Sequence, residues 1–174
     1  MRLLMLVLLL SFPALSQLDY SRKVAWNLPD DAQKRLDEVK FFDYYQLSDG
    51  VNPFYVRGDL DGDGKPDYAI LVTSKKTDNR FIVICRTGSK KIEILTDRNK
   101  SIIFDAARPA PTDPNFNWMD AWQITPRRDL DENELNEKTP PPMRGEGILA
   151  EKTESASVII YWTGKGYHWY QMGD

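Results

Sequence analysis

Cysteine and histidine are almost absent from this chain, which has 174 residues and contains one of each. A single cysteine, Cys85, excludes a disulfide bond within the chain. It lies in the apolar run 81–85, where the pattern predicts a small, buried apolar side chain. Zinc sites of the usual kind draw on several His and Cys ligands, so the composition leaves that class of metal site without ligands.

The lack of histidine also restricts catalysis. His168 would have to serve any Ser-His-Asp or Cys-His arrangement, and it lies in a strand-like segment. The chain contains no G-x-S-x-G turn and no phosphate-binding glycine motif. We therefore expect a non-catalytic protein.

The alternative is a glycan-acting hydrolase of the cell envelope. It would use a glutamate from the segment 146–154, with Trp162 and Trp169 as a platform for sugar rings. Such an enzyme needs two carboxylates roughly 5–9.5 Å apart across a cleft.

Long hydrophobic runs are missing too, and the apolar run 3–10 is too short to span a bilayer. Arg2 precedes this run, and the small residues Ala14 and Ser16 follow it at the spacing that a signal peptidase recognises. The sequence therefore predicts a signal peptide over 1–16, cleaved after Ser16, and a secreted or periplasmic protein without a membrane span. Residues 17–174 are then expected to form a single domain.

Neither sign of charge dominates. The chain has 23 basic and 26 acidic residues, and the predicted leader carries only one of the basic ones, which leaves residues 17–174 with a formal charge of −4. No basic stripe is visible, so we expect no nucleic-acid partner. A mildly acidic exported protein suits ordinary solubility, metal binding or a basic partner. From the predicted export, we expect any partner to be a protein or glycan of the envelope or the extracellular space.

Aspartate and glycine, in contrast, are concentrated in the segment 58–67. Its sequence is Gly-Asp-Leu-Asp-Gly-Asp-Gly-Lys-Pro-Asp, and an apolar run follows at once. Side chains two residues apart can turn toward one centre, while glycines supply the positive φ angles that bend the chain around it. Hard carboxylate oxygens prefer Ca²⁺. We therefore predict a calcium loop; the alternative is an Asp/Gly-rich hairpin turn that binds no ion.

The predicted ligands follow the generic D-x-D-x-D-G spacing. They are the side chains of Asp59, Asp61 and Asp63, the backbone carbonyl of Lys65, and the side chain of Asp67. An EF-hand would need a glutamate at the twelfth position of the loop, where this chain has Ile70 in an apolar run. The EF-hand interpretation therefore fails.

The segment 58–71 resembles the calcium loops of FG-GAP and VCBS-type repeats. The resemblance covers about fourteen residues and implies a strand–loop–strand calcium site. FG-GAP repeats of propellers recur several times, whereas this chain contains one copy. Dockerins share the aspartate pattern, but they carry two copies, each followed by a helix.

The remaining pattern predicts an α+β domain that is mainly β. Pro29, two following aspartates and apolar residues at helical spacing predict a helix over 29–39. Short strands are predicted at 54–57, 68–73, 80–86 and 91–95, joined as an antiparallel meander whose first connection is the calcium loop. With three further strands near the C-terminus, the sheet would have about six or seven strands.

Proline and charged residues interrupt the segment 96–145. We predict an irregular surface excursion there, with one short helix around 130–136, and with Trp118 and Trp122 as its anchors on the core. Beyond it, strands are predicted at 147–151, 157–162 and 167–171. The last two form a hairpin in which Trp162 faces Tyr167, and Ile160 faces Trp169.

Overall fold

The computed structural model describes residues 28–96, 100–107, 115–136 and 139–173. The predicted signal peptide and its cleavage site lie outside these residues. The described part of the chain contains one α-helix, one 3₁₀ turn and ten strands. In chain order they are α1 (Asp30–Glu38), the 3₁₀ turn (Phe41–Asp43), β1 (Tyr45–Leu47), β2 (Tyr55–Gly58), β3 (Asp67–Ser74), β4 (Arg80–Cys85), β5 (Ile92–Thr96), β6 (Lys100–Ile103), β7 (Ala121–Thr125), β8 (Gly147–Glu151), β9 (Ser157–Trp162) and β10 (Tyr167–Gly173).

Helix α1 forms where the sequence predicts it. Pro29 occupies the N-cap position, and Asp30 and Asp31 lie in the first turn, where negative charge is favourable against the helix dipole. Ala32 and Leu36 are four residues apart and fully buried, so the helix packs one face against the sheet below it.

The first sheet has six antiparallel strands. Strands β2 to β5 form the predicted meander, and β6 extends it along the far edge. At the other edge β1 and β2 lie end to end on β3: β2 pairs with its first half and β1 with its second half. Strands β1 and β6 were not predicted, because three or four residues at a sheet edge give too little alternation to detect.

The second sheet has four antiparallel strands in the order β10–β9–β8–β7. The predicted hairpin register is confirmed, since Trp162 pairs with Tyr167 and Ile160 with Trp169. Strand β7 lies inside the segment that was predicted to be irregular. The fold class is confirmed, a mainly β protein with a short N-terminal helix, but the ten described strands form two sheets and exceed the expected six or seven.

The two sheets pack face to face. Alternate residues of β3, β4 and β5 meet alternate residues of β8, β9 and β10 in a shared core. The opposite face of the first sheet is covered by α1 and the 3₁₀ turn, and Cys85 is buried there as predicted. The outer face of the second sheet is covered by Leu130 and Met143 from the connection between β7 and β8.

Two predictions about the segment 96–145 are wrong. It contributes β6 and β7 to the sheets, and no helix forms at 130–136, where the described residues contain an isolated bridge between Asn133 and Asn136. The Asn133 side chain accepts hydrogen bonds from the backbone N–H groups of Leu135 and Asn136. Both asparagines also donate to the Gln171 carbonyl. These bonds favour a turn held to β10 over a helix.

The tryptophans of this segment do anchor it, as predicted. Trp122 is 4% exposed, and its indole N–H donates to the Pro53 carbonyl. Trp118 packs against the same inter-sheet core. Across the described ranges, no helix combines the length and the apolar character needed to cross a membrane.

Candidate metal centre

The acidic loop connects β2 to β3, as the sequence predicts. Gly58 ends β2 opposite Asp67, the first residue of β3, so the loop is closed at its base by the sheet ladder. Gly62 and Gly64 have φ angles of +80° and +83°, a region that L-residues with a side chain rarely occupy. These two residues turn the chain around the aspartates.

Three of the predicted ligands come together. Each of Asp59, Asp61 and Asp67 places a carboxylate oxygen within 4.8 Å of the corresponding oxygens of the other two. Ligand oxygens lie about 2.3–2.6 Å from a calcium ion, so atoms on opposite sides of the ion are about 5 Å apart. The spacing of the triad therefore fits a shared cation, and its donors are all hard oxygens.

Asp67 is the buried member of the triad, with a relative exposure of 0%. Its two oxygens accept backbone hydrogen bonds from Leu60 at 3.1 Å and from Thr87 at 2.7 Å. Burial is the main cause that raises its pKa to about 6, and the neighbouring Asp61 carboxylate raises it further. These two hydrogen bonds therefore do not offset the free-energy cost of burying the Asp67 charge. A cation bound at the triad would offset it.

Asp59 shapes the loop from inside. Its Oδ1 accepts hydrogen bonds from the backbone N–H groups of Gly62 and Asp63, and its Oδ2 accepts one from Gly64. Because a carboxylate has about four acceptor positions, these bonds fix its orientation and still leave a lone pair for an ion.

Asp63 lies outside the triad. Its carboxylate accepts hydrogen bonds from the Lys65 backbone N–H at 2.8 Å and from Lys65 Nζ at 3.2 Å, and these bonds lower its pKa. Both side chains are exposed, and an exposed pair of this kind contributes little to stability. Rotating the Asp63 side chain toward the triad would therefore cost little free energy. Asp63 and the Lys65 carbonyl both stay predicted ligands.

The loop also contacts the segment 144–146, which leads into β8 of the second sheet. The Glu146 N–H donates to the Asp59 carbonyl at 2.7 Å, and Glu146 Oε2 accepts from the Asp59 N–H at the same distance. A Cβ atom on Gly62 would lie 2.3 Å from the Arg144 carbonyl oxygen, and one on Gly145 would lie 2.2 Å from the Asp59 carbonyl oxygen. The two backbones are therefore in direct contact, and the loop joins the two sheets.

Glu146 and one basic residue, Arg86, are the members of this site that sequence reasoning missed. Arg86 Nη1 lies 3.8 Å from Asp61 Oδ2, and Arg86 Nη2 donates to Glu93. The acidic pattern of the loop gives no sign of either residue, because Glu146 is 87 residues from its partner Asp59 and contacts it only through the tertiary fold.

Of the glutamates in the hydrolase hypothesis, Glu146 lies apart from the other two. Glu146 bonds to the acidic loop before β8, whereas Glu151 ends β8 about 16 Å further along the strand. Glu154 lies exposed in the turn that follows. Trp162 and Trp169 are partly buried and pack against the core between the sheets.

Comparison of the chain with models of protein families, with curated proteins and with solved structures finds no match. The resemblance of the loop to FG-GAP and VCBS-type repeats therefore rests on the residues of the loop alone. What the geometry defines is a β protein with an acidic triad that could hold a metal ion.

Proposed function

We propose that this protein is an exported, non-catalytic binding domain that holds one structural calcium ion in the β2–β3 loop. The observation that carries the proposal is the buried Asp67 carboxylate, with its raised pKa, beside the carboxylates of Asp59 and Asp61. Such a cluster is stable near neutral pH when a divalent cation balances its charge.

Calcium is favoured over other ions by the donor set and by the loop. Three carboxylates supply oxygen only, and the Asp63 side chain and the Lys65 carbonyl are near enough in sequence to complete a shell of six to eight oxygens. Magnesium demands a stricter octahedron and keeps several waters, which fits a loop of many protein oxygens less well. The resemblance to FG-GAP and VCBS-type loops supports the same ion.

A structural role follows from where the triad lies. Asp67 belongs to a central strand of the first sheet, and the Asp59 backbone is bonded to the segment that enters the second sheet. An ion held by both residues would connect the two sheets at one corner. It would also stabilise the folded state, because a ligand that binds only that state adds RT ln(1 + [L]/Kd) to the free energy of unfolding.

Isothermal titration of the chelator-treated protein, residues 17–174, with calcium and with magnesium tests the ion. We expect one calcium per chain and weaker binding of magnesium. Asp67→Asn should abolish calcium binding. Asp120→Asn is the matched control, since Asp120, the residue before β7, also accepts a backbone hydrogen bond, but from Thr153 in the β8–β9 turn. Equal calcium binding by the Asp67 variant and the wild type would contradict the proposal.

The partner is proposed to be a protein or glycan of the envelope or the extracellular space. Affinity capture from an envelope extract, in calcium and in chelator, should recover a partner only in calcium. Export is tested separately by mass spectrometry of the protein released by the producing cell, which should begin at Gln17. A mature protein that retains residues 1–16 would contradict export by this leader.

A further inference from the structure

Arg86, which follows β4, extends into the region between the two sheets. Its guanidinium donates to Glu93 through Nη2, lies 3.8 Å from Asp61 Oδ2 through Nη1, and stands over the Trp162 ring with its Cζ 4.5 Å from the ring centroid. The three charged side chains are mostly buried, with exposures of 18% for Arg86, 6% for Glu93 and 20% for Asp61.

The two carboxylates hold this guanidinium unequally. Glu93 accepts a direct hydrogen bond from it, whereas Asp61 is beyond hydrogen-bond distance and interacts with it through charge alone. Asp61 is also a member of the metal triad. A divalent cation at the triad and the Arg86 guanidinium would therefore repel each other while both are attracted to the same carboxylate.

We propose that Arg86 is an internal competitor for Asp61, which lowers the calcium affinity of the loop and which calcium displaces toward Glu93 and Trp162. This inference rests on the proposed calcium site and adds to it a residue that sets affinity. Through this displacement of Arg86, calcium binding in the loop would change side-chain contacts in the core between the sheets.

Tyr167 lies beside this pair and has a buried hydroxyl that a shift of the pair could satisfy. Its side chain is 7% exposed, and its hydroxyl has no hydrogen-bond partner among the residues that the structure describes. Its ring lies 5.2 Å from that of Trp162. Burial raises the pKa of this hydroxyl, and the nearby Glu93 carboxylate raises it further. Because a buried hydroxyl without a partner is unfavourable, a shift of the Arg86–Glu93 pair that satisfies it would be stabilised.

The first test compares calcium affinity in two variants, Glu93→Gln and the double variant Arg86→Gln/Glu93→Gln. Residue 93 is neutral in both, so their difference isolates Arg86. We expect Glu93→Gln to bind calcium more weakly than the wild type, because Arg86 is then free to pair with Asp61. The double variant should bind calcium about tenfold more tightly than Glu93→Gln, since the competing charge is gone.

Titration calorimetry measures both affinities, and circular dichroism confirms that both variants are folded. Equal calcium affinities in the two folded variants would overturn the proposal. Absence of calcium binding in the wild type would instead overturn the calcium site itself, so the two failures are distinguishable.

The second test does not alter any charge. Addition of calcium to the chelator-treated wild type should change the tryptophan fluorescence, because the guanidinium over Trp162 moves. Trp162→Phe should lose most of this change. Trp118→Phe should keep it, because Trp118 packs on Phe116 in the same core and has no described contact with Arg86. A calcium response that is the same in Trp162→Phe as in the wild type would overturn the coupling.

Discussion

Two hairpin connections of this protein each form hydrogen bonds to an aspartate, and the pKa values of the two aspartates are shifted in opposite directions. Asp120, the residue before β7, accepts hydrogen bonds from the Thr153 N–H, the Thr153 hydroxyl and Lys152 Nζ of the β8–β9 turn, and these bonds lower its pKa to about 2. In the β2–β3 loop, Asp67 is buried among carboxylates and its pKa rises to about 6.

The difference indicates which of the two carboxylates would gain more from a bound cation. The charge of Asp120 is balanced by Lys152 of the β8–β9 turn, so this contact needs no external ion. In the β2–β3 loop, the Arg86 guanidinium lies 3.8 Å from Asp61, and the lysine of the loop, Lys65, pairs with Asp63 outside the triad. The number of aspartates does not separate a metal loop from an ordinary turn; what differs here is that Asp120 pairs with a lysine, whereas the described hydrogen bonds of Asp67 come from backbone N–H groups.

The largest expected effect is that of calcium on thermal unfolding. At a hundredfold excess over Kd, calcium should stabilise the protein by about 2.7 kcal/mol and raise Tm by roughly 5–10 °C relative to chelator. Scanning calorimetry measures this shift. Asp67→Asn should abolish it, and Asp120→Asn should keep it. A Tm that is the same in calcium and in chelator would contradict a calcium ion in the β2–β3 loop.

The next effect concerns Gly62 and Gly64, two glycines with nearly the same positive φ angle. Gly64→Ala places a Cβ in open space and should cost only the strain of its positive φ, about 1 kcal/mol. Gly62→Ala adds a clash with the Arg144 carbonyl, which should cost roughly 1–3 kcal/mol more. Urea unfolding of both variants measures the difference. Equal losses in the free energy of unfolding would mean that the loop is not in tight contact with the segment 144–146.

The pH dependence should have opposite signs for the two aspartates. The pKa of Asp67 is raised above its ordinary value of 3.8, so in chelator the folded state binds more protons between about pH 4 and 6. Its contribution to stability is therefore lost as the pH rises through this window. The pKa of Asp120 is lowered to about 2, so its contribution is present above pH 4 and is lost as the pH falls toward 2.

Unfolding free energies of the wild type, Asp67→Asn and Asp120→Asn, measured across these pH windows, separate the two contributions. Asp67→Asn should flatten the profile between pH 4 and 6, and Asp120→Asn should flatten it below pH 4. A wild-type profile that rises between pH 4 and 6 by the same amount as that of Asp67→Asn would contradict the assigned sign.

The smallest effect is that of Asp120→Asn on stability at neutral pH. Asp120 is exposed, and its ion pair with Lys152 is screened by solvent, so we expect a small fall in Tm in both calcium and chelator. The same scans measure it. A fall comparable to that caused by removing calcium would show that the β8–β9 turn is not the simple surface turn described above.

Sequence reasoning succeeded where the signal is local. The alternation of residues 157–171 predicts the register of the β9–β10 hairpin, and the spacing of acids predicts the loop and its triad. It failed at β6 and β7, because proline and charge on either side of a four- or five-residue strand hide its alternation. Arg86 and Glu146 could not be predicted as members of the site, since only the packing of the second sheet on the first brings them to the loop.

The contact between Gly62 and Gly145 has a consequence for the architecture as a whole. At this corner main chain meets main chain, with no side chain between them. The separation of the two sheets there is therefore set by the van der Waals radii of peptide atoms, whatever residues fill the core elsewhere. Substitutions in the core change how side chains pack between the sheets, whereas at this corner the distance of closest approach is limited by contact between backbone atoms.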